Sequence, residues 1–144
     1  MSFWDHLRRL AKALAPPPPL SARDEAKRKI DALWDEKRRY DDVVRAASDA
    51  VLAAAPAELP RVRDRSMGVG LGLVHSACCY VLETDADLAF ARERQLTDWL
   101  ERTTRAELAA RGYPVDKIAA FNVWFATHED IVRKTGGDYH LYFH

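Results

Sequence analysis

The sequence predicts an α+β domain: a small, mostly antiparallel sheet of three to four strands with helices on one face. A long helix and a short N-terminal amphipathic helix precede it. Three observations carry this expectation. Ser21 to Ala55 holds a continuous helical pattern, with apolar positions spaced alternately by four and three. Val69 to Leu73, Ala77 to Leu82 and Ile118 to Ala126 show the period-two or apolar runs of strands. Four pairs at capping-box spacing (Ser2–Asp5, Ser21–Asp24, Thr84–Asp87 and Thr127–Asp130) mark helix starts. Helices laid over one face of a small sheet are the economical packing for such elements.

Composition narrows the functional classes. A chain of 144 residues, 48% hydrophobic, has material for one core with a helical extension attached. Lys plus Arg and Asp plus Glu balance at 22 each, so there is no general electrostatic case for nucleic acid as a partner. The chain lacks the run of about 18 apolar residues that a membrane-crossing helix needs, and its first residues lack the pattern of a secretory signal. Its two cysteines, Cys78 and Cys79, are adjacent, point to opposite faces of a strand and form no disulfide framework. A cytoplasmic, reducing setting is therefore expected.

Met1 to Ala15 reads as an amphipathic helix. Phe3, Leu7, Leu10 and Leu14 recur along one stripe with Trp4 and Ala11 beside it, while Arg8, Arg9 and Lys12 lie off it. Pro16 to Pro19 ends the helix and forms an extended spacer of about 12 Å. The expected organisation is thus residues 1–19 as helix and linker, and residues 20–144 as one domain. In the long helix, Ala26, Ile30, Leu33, Lys37, Tyr40, Val44, Ala47, Val51 and Ala54 form a heptad-like seam with one lapse, at Lys37. At 1.5 Å per residue this helix is about 50 Å long. That exceeds what a small domain covers, so part of it is expected to pack on another long helix or on a second copy.

Pro56 to Ser66 reads as a loop. In Met67 to Glu83, glycines alternate with Val69, Leu71 and Leu73, but neither GxGxxG nor GxxxxGK[ST] occurs, so no phosphate loop is assigned. A helix is expected from Thr84 to about Arg111, stopped by Gly112 with Pro114 beyond. The strand Ile118 to Ala126 follows. A short helix, His128 to Lys134, ends at Gly136–Gly137, and Tyr139 to Phe143 reads as a final strand.

Side chains with chemistry do not fall into a recognised pattern. His140 and His144 on one side of a strand would stand about 13 Å apart, too far to share an ion. No metal or cofactor is expected. Cys78 or Cys79 with His128 or His140 and Asp138 compose a triad on paper, without a GxSxG or HExxH signature. Asp85, Asp87, Glu129 and Asp130 sit where helix starts prefer acids. The aromatic C-terminus is the better candidate. Trp124, Tyr139 and Tyr142, rimmed by His128 and Asp138, are expected to bind a partner, because exposed Trp and Tyr dominate interaction hot spots.

The function expected is a non-catalytic protein–protein interaction domain of immunity-like or chaperone-like class, with the long helix able to pair with a second copy. One alternative is a small enzyme or ligand-binding protein with a pocket around His128, His140 and Asp138. Another is a membrane-surface adaptor anchored by Phe3, Trp4 and Leu7, for which three cations are few.

Overall fold

The computed structural model describes residues 2–144. Helix α1 spans Phe3–Leu14 and opens on a complete capping box: the Ser2 hydroxyl accepts from the Asp5 amide, and the Asp5 carboxylate accepts from the Ser2 amide. The expected start at Met1 lies outside the described residues. Helix α2 spans Ala22–Ala53, and its Asp24 amide donates to Ser21 Oγ at 3.2 Å. The chain divides into two compact units, Met1–Ala32 and Leu33–His144, and the division falls within α2.

In the first unit no residue of α1 is buried, and α2 up to Ala32 is exposed throughout. The second unit contains a three-stranded sheet of β1 (Val62–Gly68), β2 (Ala77–Leu82) and β3 (Asn122–Thr127), in that order. Three helices connect β2 to β3: α3 (Asp85–Glu93), α4 (Leu96–Ala110) and α5 (Val115–Ile118). Two more, α6 (His128–Thr135) and α7 (Tyr139–Phe143), follow β3. The α+β class, the long helix and the short amphipathic helix are as the sequence predicts.

Strand β2 is the centre of the fold. Cys78 to Leu82 are wholly shielded from solvent, and alternate residues face opposite sides. Cys78 and Tyr80 pack with Val44, Ala47 and Val51 of α2, Leu100 and Leu108 of α4, and Tyr113 and Phe121. The Tyr80 hydroxyl lies 2.6 Å from Thr104 Oγ1, which in turn donates to the Leu100 carbonyl, so a buried hydroxyl pair is satisfied. Cys79 and Val81 face the other way, into a cluster with Ala126, Ile131, Trp124, Tyr139, Tyr142 and Phe143.

The sheet differs from the expected arrangement in two respects. It is mixed rather than mostly antiparallel: β1 pairs antiparallel with β2, but β2 pairs parallel with β3. The α3–α5 connection is a crossover long enough for parallel pairing, which a tight hairpin is not. Helices also cover both faces rather than one, because α6 and α7 fold back over Cys79 and Val81. A strand as apolar as ACCYVL on both sides requires that second cover.

Local assignments change for identifiable reasons. β1 starts inside the expected Pro56–Ser66 loop. Its charges suit an edge strand and are paired: Arg63 with Glu83 at 2.9 Å and Arg65 with Asp49 at 2.7 Å. The glycine-alternating stretch is not a strand but a 3₁₀ turn, Leu71–Leu73, with Gly72, Leu73 and His75 at positive φ. Alternation of glycine imitated the strand period there. The helix expected from Thr84 to Arg111 is two helices, broken at Gln95 with φ 57°. The strand expected from Ile118 begins only at Asn122, because Ile118 closes α5. The final strand, Tyr139 to Phe143, is a helix: Asp138 caps it by accepting from the Leu141 amide at 3.0 Å.

The turn leading into β2 rests on one close approach. A Cβ at Gly70 would lie 1.9 Å from the Val74 carbonyl oxygen, whereas one at Gly72 would meet nothing within 4 Å. Gly70→Ala is therefore expected to lower stability by about 2 kcal/mol, the cost of forcing atoms into occupied space. Gly72→Ala should cost about 1 kcal/mol, from its left-handed backbone alone. Urea unfolding of the two variants checks the order, and the reverse order would contradict the packing of this turn.

Candidate functional site

The C-terminal group is built by the chain leaving the parallel end of the sheet. Thr127 ends β3 and caps α6, its Oγ1 accepting from the Asp130 amide at 3.0 Å. Helix α6 stops at Gly136, whose φ of 68° closes the turn. Asp138 then starts α7. This strand–helix–turn–helix path returns Tyr139, Tyr142 and Phe143 to the sheet face carrying Trp124. The rings pack edge to face, with Trp124–Phe143 centroids 5.4 Å apart and Tyr142–Phe143 centroids 5.2 Å apart.

The residues expected to bind a partner are therefore gathered, and they are engaged with one another. His128 Nδ1 lies 2.9 Å from the Tyr139 hydroxyl. Asp138 serves as the cap of α7. Trp124, Tyr139 and Tyr142 are half-buried, and Trp124 keeps one edge in a shallow groove with Met67, Phe143 and His144. The outward side of α6 and α7 presents Val132 and Leu141, both exposed.

An ionic network links α6 to α7 and to the start of α3. Tyr142 Oη donates to Asp130 Oδ2 at 2.8 Å. Arg133 Nη2 bridges Asp130 at 2.8 Å and Asp85, at the start of α3, at 2.9 Å. Lys134 Nζ lies 3.1 Å from Asp130. With Arg133, Tyr142 and Lys134 around it, the Asp130 carboxyl is held down at about 2. Asp85 is lowered too, by the Thr127 hydroxyl first and then by Arg133. Burial and the bond to Asp130 push the Tyr142 phenol up to about 12. The sequence reading gave Asp85 and Asp130 only their helix-start role and passed over Arg133. The Asp130-x-x-Arg133 spacing in the first turns of a helix was the available signal.

The two cysteines considered for nucleophilic chemistry do not share a face. Cys78 and Cys79 are free, buried and on opposite sheet faces. Burial raises both thiols, Cys79 to about 12, and so opposes the thiolate a nucleophile requires. His140 and His144 share one side of the α7 end, ring centroids 4.6 Å apart, because that segment is a helix and not a strand. Among the described residues, no three His, Cys, Asp or Glu side chains are grouped as a metal ion would require.

A second candidate surface lies on α2, where Ile30, Leu33 and Trp34 are exposed. Trp34 is four residues from Ile30 and so shares its face. It was not counted in the heptad-like seam, although a tryptophan on a charged helix was signal enough.

Tyr142→Phe keeps the ring and removes the bond to Asp130. It should lower the melting temperature by about 3 °C at neutral pH. The Asp130 pKa is depressed on folding, so its contribution is complete above the ordinary carboxylate range and is lost as pH falls toward about 2. Melting of Tyr142→Phe and the parent should therefore converge at acidic pH. An undiminished gap at the acid end would show that the Tyr142 hydroxyl acts independently of the Asp130 charge.

The chain matches no family model, no curated protein and no solved structure.

Proposed function

We propose that the chain is a non-catalytic protein-interaction module, that its docking stripe lies on the first half of α2, and that a second copy is the partner this stripe fits. A module of this kind acts by occupying a surface, as immunity-like and chaperone-like proteins do. The supporting observation is a change along one helix. From Val44 onward the seam is spent in the core, with Val44, Ala47 and Val51 buried. Before it, Ile30 is 53% and Trp34 is 45% exposed, with Leu33 between them. An apolar stripe that continues a packed seam into solvent is the usual mark of a partner helix.

Charge favours a second copy over an unrelated helix. Lys27, Arg28 and Lys29 precede the stripe, and Asp35 and Glu36 follow it, with Lys37, Arg38 and Arg39 directly after them. In an antiparallel pair centred between Ile30 and Trp34, Lys27 would face Lys37, but Arg28 would face Glu36 and Lys29 would face Asp35. This is the self-complementarity that a two-fold interface demands. Trp124, Tyr139, Tyr142, His128 and Asp138 support partner binding less, because their edges are turned onto one another.

Sedimentation equilibrium across the micromolar range tests the reading. The parent chain should be dimeric, and Ile30→Glu or Trp34→Glu should weaken the dimer by about thirtyfold each, the cost of a hot-spot residue. Neither change touches the buried core, so the monomer's thermal unfolding should be unaltered. A parent chain that stays monomeric throughout would overturn the proposal.

A further inference from the structure

Helix α1 carries an apolar face of its own. Its twelve residues, Phe3–Leu14, contain no buried side chain, and Phe3 and Trp4 are each 70% exposed. At 100° per residue, Phe3, Leu7, Leu10 and Leu14 fall on one narrow face. Trp4 borders it, and Arg8, Arg9 and Lys12 stand opposite. The single acid, Asp5, is committed to the Ser2 cap. The helix thus separates its apolar groups from a side that carries three cations and one acid.

We propose that α1 docks on an anionic lipid surface, with the Phe3–Leu14 face entering the headgroup boundary and Arg8, Arg9 and Lys12 meeting lipid phosphates and carboxylates. Charge favours lipid over a protein partner. Lipid binding by such a helix grows with its apolar area plus attraction to anionic headgroups. A side carrying three cations and one acid complements a negative membrane surface, whereas the mixed-sign stripe of α2 complements itself. Trp4 at the polar boundary occupies the position that amphipathic rings prefer at a bilayer interface.

Pro16 to Pro19 lack amide donors. They end α1 sharply and hold an extended spacer behind it. With only three cations and one short helix, binding is reversible and salt-sensitive rather than permanent. Among the described residues no helix is long and apolar enough to cross a membrane, so the contact is with the surface.

Co-sedimentation of the full chain with phosphatidylcholine vesicles holding about one quarter phosphatidylserine tests this. The parent should pellet with these vesicles and at least about tenfold less with pure phosphatidylcholine. Arg8→Gln/Arg9→Gln/Lys12→Gln should weaken partitioning on the order of a hundredfold. Leu7→Glu/Leu10→Glu should abolish it. Because α1 buries nothing, both variants should unfold thermally like the parent, which separates lost docking from lost folding. Absence of pelleting, or equal pelleting of the parent and the cation-free variant, would overturn the proposal. So would a Leu7→Glu/Leu10→Glu variant that changes sedimenting mass while pelleting like the parent, since α1 would then be a protein contact.

Discussion

Everything in the second unit depends on covering both faces of β2. Its core residues, Cys78 to Leu82, alternate between two sides and none is exposed. A three-stranded sheet has only one central strand, so shielding it requires a helical layer on each side. The side facing Cys78 and Tyr80 takes α2 and α4. The side facing Cys79 and Val81 takes α6 and α7, through Ile131, Tyr139, Tyr142 and Phe143. Asp85, Asp130, Arg133 and Tyr142 add polar contacts that join α6 to α7 and α3. The aromatic C-terminus is thus first of all a lid on the sheet.

The same constraint explains why the cysteines are inert and why the sheet is mixed. Small, apolar Cys side chains fit on both sides of a tightly covered strand, and the burial that makes them fit raises their pKa values. Placing β3 beside β2 in the same direction needs a long return path. The α3–α5 segment provides it and at the same time delivers Leu100 and Leu108 to the core. Both parallel strands then end beside a helix start, at Thr84 and Thr127. That shared end brings Asp85 within reach of Arg133.

What could be read from the sequence follows from the range of the interactions involved. All four capping pairs form, because a cap is decided within four residues. The extent of α2 and the position of β2 were likewise legible, one from its length and periodicity and the other from its apolar run. The failures lie where tertiary context decides. The charged strand β1 forms because β2 offers an edge, and Arg63 and Arg65 find acids just after β2 and on α2. Tyr139 to Phe143 reads equally as strand or helix by composition. What decides is Asp138 as a cap, together with a sheet face that needs Tyr139, Tyr142 and Phe143 on one side. For the candidate site the outcome is similar. That the C-terminal aromatics gather was legible; that they face inward required knowing that α7 is a helix.

The distribution of uncovered apolar groups separates the two ends of the chain. In the second unit beyond Trp34, exposed large apolar residues such as Leu71, Phe90, Val115 and Leu141 are scattered singly among different elements, which is ordinary for a protein surface. Between Phe3 and Trp34 they recur at helical spacing on two successive helices. Scattered groups need no partner, but aligned ones leave a continuous apolar strip in water. The two strips differ in what borders them. On α2 both signs of charge flank the stripe, which suits a protein of the same pattern. On α1 cations stand opposite the stripe, which suits a negatively charged surface. The C-terminal aromatics close the sheet of the second unit, and the aligned exposed apolar groups lie on α1 and the start of α2.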